Sequence, residues 1–204
     1  MSDSQHHEDS QQVVTPTGSE SRRRFVRGVG LATPVMLALS SRSALANGGL
    51  CLSPSASASI ALLNSRPDRE LVSCAGRSPG FWSEAANSTH PNHSFWVQSS
   101  AEGKLFSTVF GDSSAFPGKT LKQVLRNGMR NEPKFADQYK LGFHLAAAWC
   151  NLQVNFVPPT VISLEQLQDM WRYRNTGYQP VPGMENPWSS ETIVKYLSST
   201  FTGT

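Results

Sequence analysis

Past residue 46 the chain carries three histidines, His90, His93 and His144, and three cysteines, Cys51, Cys74 and Cys150, its most chemically versatile side chains. His90 and His93 stand three apart around Pro91, so both imidazoles can face one ion from a loop, and His144 can add a third nitrogen from a helix. Such a ligand set suits zinc or copper. Spacing alone does not orient ligands, and the chain has no H-E-x-x-H, no pair of C-x-x-C and no acidic triplet, so surface histidines are the plainer reading. Three cysteines allow one bridge in three ways, with one thiol left over.

Other chemistries lack their signatures. There is no G-x-S-x-G, no Ser-x-x-Lys in a suitable setting and no Cys beside a His, which are the patterns that activate a nucleophile. Gly28-Val29-Gly30 is too short for a phosphate cradle. A net charge of +3 gives no electrostatic case for nucleic acid. Phe81, Trp82, Phe95, Trp96, Phe106 and Phe110 place six aromatics within 30 residues. They suit either a ligand-stacking surface or the anchoring of an aliphatic-poor segment to the helices; the area each ring buries favours anchoring. Asn87-Ser88-Thr89 matches a glycosylation acceptor and is read as loop sequence.

The elements that would position these groups are mostly helical. Thr120 caps a short helix bearing Leu121, Val124 and Leu125, which Asn127-Gly128 should end. A second helix starts near Pro133 and aligns Leu141, Leu145, Ala148, Trp149 and Leu152 on one face before Pro158-Pro159. Ser163 and Gln166 form a capping box, with Ile162 and Leu167 as a hydrophobic staple and Leu164, Leu167 and Trp171 as the buried face. A last helix follows Ser190 with Ile193, Leu197 and Phe201 at i, i+4 and i+8. Before these, Ser is frequent from 53 to 114, and Ser55-Ala56-Ser57-Ala58-Ser59-Ile60 alternates like a strand. Arg77-Ser78-Pro79-Gly80 reads as a type II turn. The expected fold is mainly α: a small helical domain over 81–204 with an irregular, loop-rich segment at 47–80 that admits short strands.

The first 46 residues read as an address. Residues 1–20 have too few large apolar side chains to fold. Ser21-Arg22-Arg23-Arg24-Phe25-Val26-Arg27 precedes a weakly apolar run over 28–39 and the small-residue site Ala44-Leu45-Ala46, the order of a cleaved signal. The run is 12 residues, against about 20 for a membrane span. SRRRFVR resembles the twin-arginine (Tat) export motif S-R-R-x-F-L-K, carried here by Arg22, Arg23 and Phe25. That resemblance implies folding in a bacterial cytoplasm, passage through the Tat translocase, contact with the membrane only through the signal, and cleavage after Ala46. It leaves 158 residues, one domain of ordinary size. Charged residues make up 16% of the chain where about 25% is usual, which suits an exported protein. In such a protein a bridge is expected. If folding precedes export, it must close between positions already adjacent; Cys51 and Cys74, both in the loop-rich segment, fit this, and Cys150 beside Trp149 reads as a buried, inert thiol.

Cys74-Ala75-Gly76-Arg77-Ser78-Pro79-Gly80-Phe81-Trp82 resembles a group of bacterial secreted proteins of unknown function with a Cys followed by S/T-P-G-Y-W-K-N-H. Pro79, Gly80, Phe81 and Trp82 carry the match; Phe81 stands for Tyr, and Ser83-Glu84-Ala85 for Lys-Asn-His, with His90-Pro91 and Trp96 as displaced counterparts. Leu105-Phe106-Ser107, Val109-Phe110-Gly111 and Leu145-Ala146-Ala147-Ala148 followed by Asn151 are similar in style, so the resemblance runs in short pieces from 32 to 170. It implies no activity. The reading is a periplasmic or extracellular, non-catalytic structural or interaction protein without a cofactor, whose partner is an envelope or extracellular protein. The rival is a small metal-binding or metal-dependent envelope enzyme using zinc or copper on His90, His93 and His144.

Overall fold

Leu141–Gln153 is an axial helix in which every residue from Leu141 to Asn151 except the half-buried His144 is buried. The other elements are arranged about it in the computed structural model, which describes residues 49–63, 72–112, 114–130 and 137–202. The signal residues Arg22, Arg23 and Phe25 and the cleavage residues Ala44 and Ala46 lie outside these. In chain order the elements are β1 (Leu50–Cys51), α1 (Pro54–Leu63), β2 (Val72–Ser73), α2 (Pro79–Ala85), α3 (His93–Gln98), α4 (Phe106–Phe110), α5 (Leu121–Arg130), α6 (Leu141–Gln153), α7 (Leu164–Arg172) and α8 (Ser190–Ser199). The fold is mainly α, as its capping signals imply.

Helix α6 packs against α2, α5, α7 and α8. One apolar face was the expectation from its periodicity; all-round burial is the finding. The run Ala146-Ala147-Ala148 explains it, because small side chains let neighbouring helices approach a face that bulky ones would hold off. The helix also begins later than Pro133 suggested. Tyr139 and Lys140 adopt left-handed φ of 59° and 58°, a conformation that interrupts a right-handed helix, so α6 starts at Leu141.

Three further expectations change. Pro79-Gly80 is not a type II turn but the first turn of α2: the Ser78 hydroxyl accepts from the Phe81 N–H at 3.3 Å, and Pro at the first helical position loses no hydrogen bond. The Ser-Ala alternation forms α1, not a strand, because Ser53 caps it through Ala56 N–H at 3.2 Å and Pro54 opens it; alternating Ser and Ala hold no apolar face to keep a strand in register. The strands are instead Leu50–Cys51 and Val72–Ser73, antiparallel, with Leu50 opposite Ser73. Helix α5 runs through Gly128 to Arg130. Gly128 is there for close approach, since a Cβ would collide with the Phe143 ring of α6.

The capping box at Ser163 and Gln166 is present, and Ile162 and Leu167 of the staple are buried. Leu164, placed on the buried face by its spacing, is 38% exposed; as the first residue of α7 it precedes the turn that contacts the core. Aromatic rings fill the interior. Phe106 meets Phe116 at 4.7 Å and Trp171 at 4.9 Å between centroids. Trp82, Trp96, Phe106 and Phe110 are buried and Phe81 and Phe95 pack partly buried against the core, so the aromatic-rich segment does anchor to the helices.

Candidate functional site

The Pro79-Gly80-Phe81-Trp82 motif converges on Asn151. Capping by Ser78 sets the start of α2 so that Trp82, fully buried, points at the last turn of α6. There the Asn151 Oδ1 accepts from the Trp82 Nε1–H at 3.0 Å and from the Arg77 backbone N–H at 2.8 Å, while its Nδ2 donates to the Arg77 carbonyl at 2.9 Å. One side-chain amide thus pairs with both polar groups of a backbone unit, as a neighbouring strand would. The Asn151 carbonyl accepts from Phe156 N–H at 2.9 Å, and the Phe156 carbonyl accepts from Ala75 N–H at 2.7 Å. Around this hub the Arg77 guanidinium lies over Phe81 at 5.3 Å and Phe156 at 5.9 Å, and Phe95 meets Phe156 edge-on at 5.1 Å. The boundary drawn at 80 by composition is therefore crossed by a part-buried polar network centred on the buried Asn151.

The three candidate metal ligands are not brought together. His93 hydrogen-bonds through Nδ1 with the Ala85 carbonyl at 2.9 Å. His90 accepts from Asn92 N–H at 3.2 Å and sits 3.6 Å from a Glu84 carboxylate oxygen. His144 hydrogen-bonds with the Lys140 carbonyl at 2.9 Å and lies parallel to Phe201; burial holds its pKa below the ordinary value. Among the described residues no three His, Cys, Asp or Glu side chains are grouped so as to hold a metal ion. A spacing of three placed His90 before α3 and His93 at its first residue, and each ring turned to its own local backbone.

Cys51 and Cys74 form a disulfide with Cα atoms 5.9 Å apart, and Cys150 is a buried free thiol. A buried bridge fits an oxidising compartment. Burial drives the Cys150 thiol pKa far upward, against a small opposing effect of a Ser99 hydrogen bond, which suppresses the thiolate that reacts. Iodoacetamide should accordingly add nowhere in the native oxidised chain, once after denaturation and at all three cysteines after reduction; mass spectrometry counts the adducts, and native labelling of Cys150 would contradict this burial.

A charged cluster escaped sequence reasoning. Arg174, just after α7, lies 4.0 Å above the Trp171 ring, donates to the Trp171 carbonyl at 2.8 Å, and pairs with Asp112 at 2.6 Å. Asp112 also accepts from Ser114 N–H at 2.8 Å; that bond, more than the Arg174 charge, holds its carboxyl below the usual range. Asp137 accepts from the Gly142 N–H with both oxygens, at 3.0 and 3.1 Å. Burial pushes its pKa up to about 6, although the Leu141, Gly142 and Phe143 amides and the Arg174 charge all pull it down. On the opposite side of sign, Glu102 accepts from the Trp96 indole N–H at 2.6 Å and pairs with Lys122 at 3.3 Å, and the indole bond chiefly lowers its pKa. These residues lie far apart in sequence, in no recognised motif, and a helix begun near Pro133 would have placed Asp137 inside it rather than before its start.

Chemically, the motif residues, the histidines and the cysteines are each engaged in a structural contact. No described helix is long and apolar enough to cross a membrane. Comparison with protein-family models, with curated proteins and with solved structures finds no match to this chain.

Proposed function

We propose that this chain is exported by the twin-arginine route and acts in the periplasm or outside the cell through structural or protein contacts, without catalysis. The observation that carries the reading is the Cys51–Cys74 bridge, since such a bond persists where thiols are oxidised. The order S-R-R-R-F-V-R, apolar run, A-L-A supplies the route. The use of Trp82, Arg77 and Asn151 on one another, and of each histidine on a backbone carbonyl or a local partner, supports a scaffold over a reaction centre. The translocase is the transient partner and an envelope or extracellular protein the lasting one.

The route has a direct test. Changing Arg22→Lys together with Arg23→Lys should abolish export, leaving the full-length chain in the cell with Cys51 and Cys74 as thiols. Secretion at the wild-type level, read by immunoblot of cell and medium fractions, would sink the twin-arginine assignment.

A further inference from the structure

We propose that the Cys51–Cys74 bond is a one-way redox latch: it fastens the 49–63 segment to the C-terminal end of an already folded helical body, by oxidation that takes place while the segment is lifted. The regulation rests on the export reading for its setting, the passage from a reducing to an oxidising compartment.

The two halves of the bridge are held differently. Cys74 is placed by the body: its carbonyl accepts from the Thr202 hydroxyl at 2.9 Å, its sulfur lies 3.9 Å from the Thr200 carbonyl oxygen, and the next residue, Ala75, donates to Phe156. Gly76 then passes so close to Thr200 that a Cβ would collide with its carbonyl. From there the chain runs into the Asn151 hub. Cys51 is held by the bridge, by the short β1–β2 pairing that sets it opposite Val72, and by carbonyls on either side of it: Gly49 accepts from Cys74 N–H at 2.5 Å, and Leu52 from the Tyr196 hydroxyl at 3.0 Å. Closing this segment also buries Ala58 and Ile60 of α1.

Both cysteines are nearly sealed in the closed state, Cys51 3% and Cys74 5% exposed. A disulfide-bearing oxidant must reach a sulfur in line to exchange with it, so oxidation requires the segment to be off. The step then balances simply. The thiolate of Cys51, the mobile end, attacks one oxidant sulfur and releases the other as a thiol. The Cys74 thiolate attacks the Cys51 sulfur, forming the protein S–S bond and expelling the second oxidant sulfur as a thiol. Two electrons pass to the oxidant, and the two cysteine protons end on its two sulfurs. Once closed, the same burial guards the bond against reductants.

The full-length chain, oxidised and reduced, compared by hydrogen–deuterium exchange and then treated with oxidised glutathione, tests the order of events. In the reduced chain 49–63 should exchange at least about tenfold faster while α2 to α8 keep their protection; glutathione disulfide should restore the segment and leave Cys150 a thiol. In the oxidised chain the rate of reduction should level off with increasing dithiothreitol, because opening limits it. Tyr196→Phe, which removes only the hydroxyl bond to Leu52, should raise that plateau about fivefold. Loss of protection across the helices on reduction would show that the bridge precedes the body. Unchanged protection of 49–63, or a reduction rate proportional to dithiothreitol without a plateau, would equally overturn the latch. Each readout is made on purified protein, so a failure of the export assignment leaves it standing.

Discussion

Asn151→Ala should lower the unfolding free energy by about 4 kcal/mol, because it strands one buried and two half-buried partners at roughly 1–3 kcal/mol each. Those partners are the Arg77 N–H, the Arg77 carbonyl and the Trp82 indole N–H. Water cannot easily replace the amide, since Asn151 and Trp82 are both fully buried. For a chain of this length the melting temperature should fall by about 10 °C. Asn151→Asp should sit between the two, keeping acceptors for both N–H groups while facing the Arg77 carbonyl without a donor. A double-mutant cycle with Trp82→Phe separates the hub from mere packing: if the two act through one bond, the pair should cost less than the sum of the singles. An Asn151→Ala variant within about 0.5 kcal/mol of wild type would class the position with neutral surface sites and leave the hub without energetic meaning.

The local capping rules were legible from the residues because each acts within one turn. Ser163 with Gln166 and Thr120 before Leu121 sit where a hydroxyl can accept from the first free amides, whereas the last helix starts one residue earlier than its sequence suggested, at Ser190 with Ser189 as the cap. The disulfide pairing was legible for a different reason: the alternative partner, Cys150, lies in an apolar helix that leaves no loop freedom. What could not be read were the tertiary uses of small and polar residues. Gly128 looks like a terminator and serves as a packing groove for Phe143. Pro79-Gly80 is as compatible with a turn as with a helix start, and the choice rests on Ser78 and on Asn151, which is 74 residues from Arg77. The histidine set failed for the same reason, since a spacing of three says nothing about which carbonyl each ring will find.

Asp137→Asn should make the protein more stable at pH 7, by about 3 kcal/mol, and leave it unchanged near pH 4. The Asp137 carboxyl takes up the otherwise free amides at the start of α6, where Tyr139 and Lys140 turn left-handed just before the helix. Amides at a helix start favour a negative charge, as does Arg174, yet burial wins and raises the pKa from 3.8 to about 6. A raised carboxyl pKa means that the folded chain binds the proton more tightly than the unfolded one. Stability therefore falls as pH climbs from about 4 to about 6 and stays at the lower level above, by roughly 1.4 kcal/mol per unit of difference. His144 acts with the opposite sign, its lowered pKa making stability fall as pH drops below the ordinary imidazole value. Asp112 and Glu102, both lowered, lose their contribution only on further acidification. The raw pH profile of the wild type mixes these effects, so the informative quantity is the difference between variant and wild type from urea unfolding at each pH. Asparagine retains an oxygen to accept from Gly142 and cannot ionise, which removes the Asp137 contribution alone. A difference that opens between pH 4 and 6 with the variant ahead is the expected result. A variant less stable than wild type at pH 7 would mean that the helix amides and Arg174 outweigh burial, and that the charge stabilises the turn into α6.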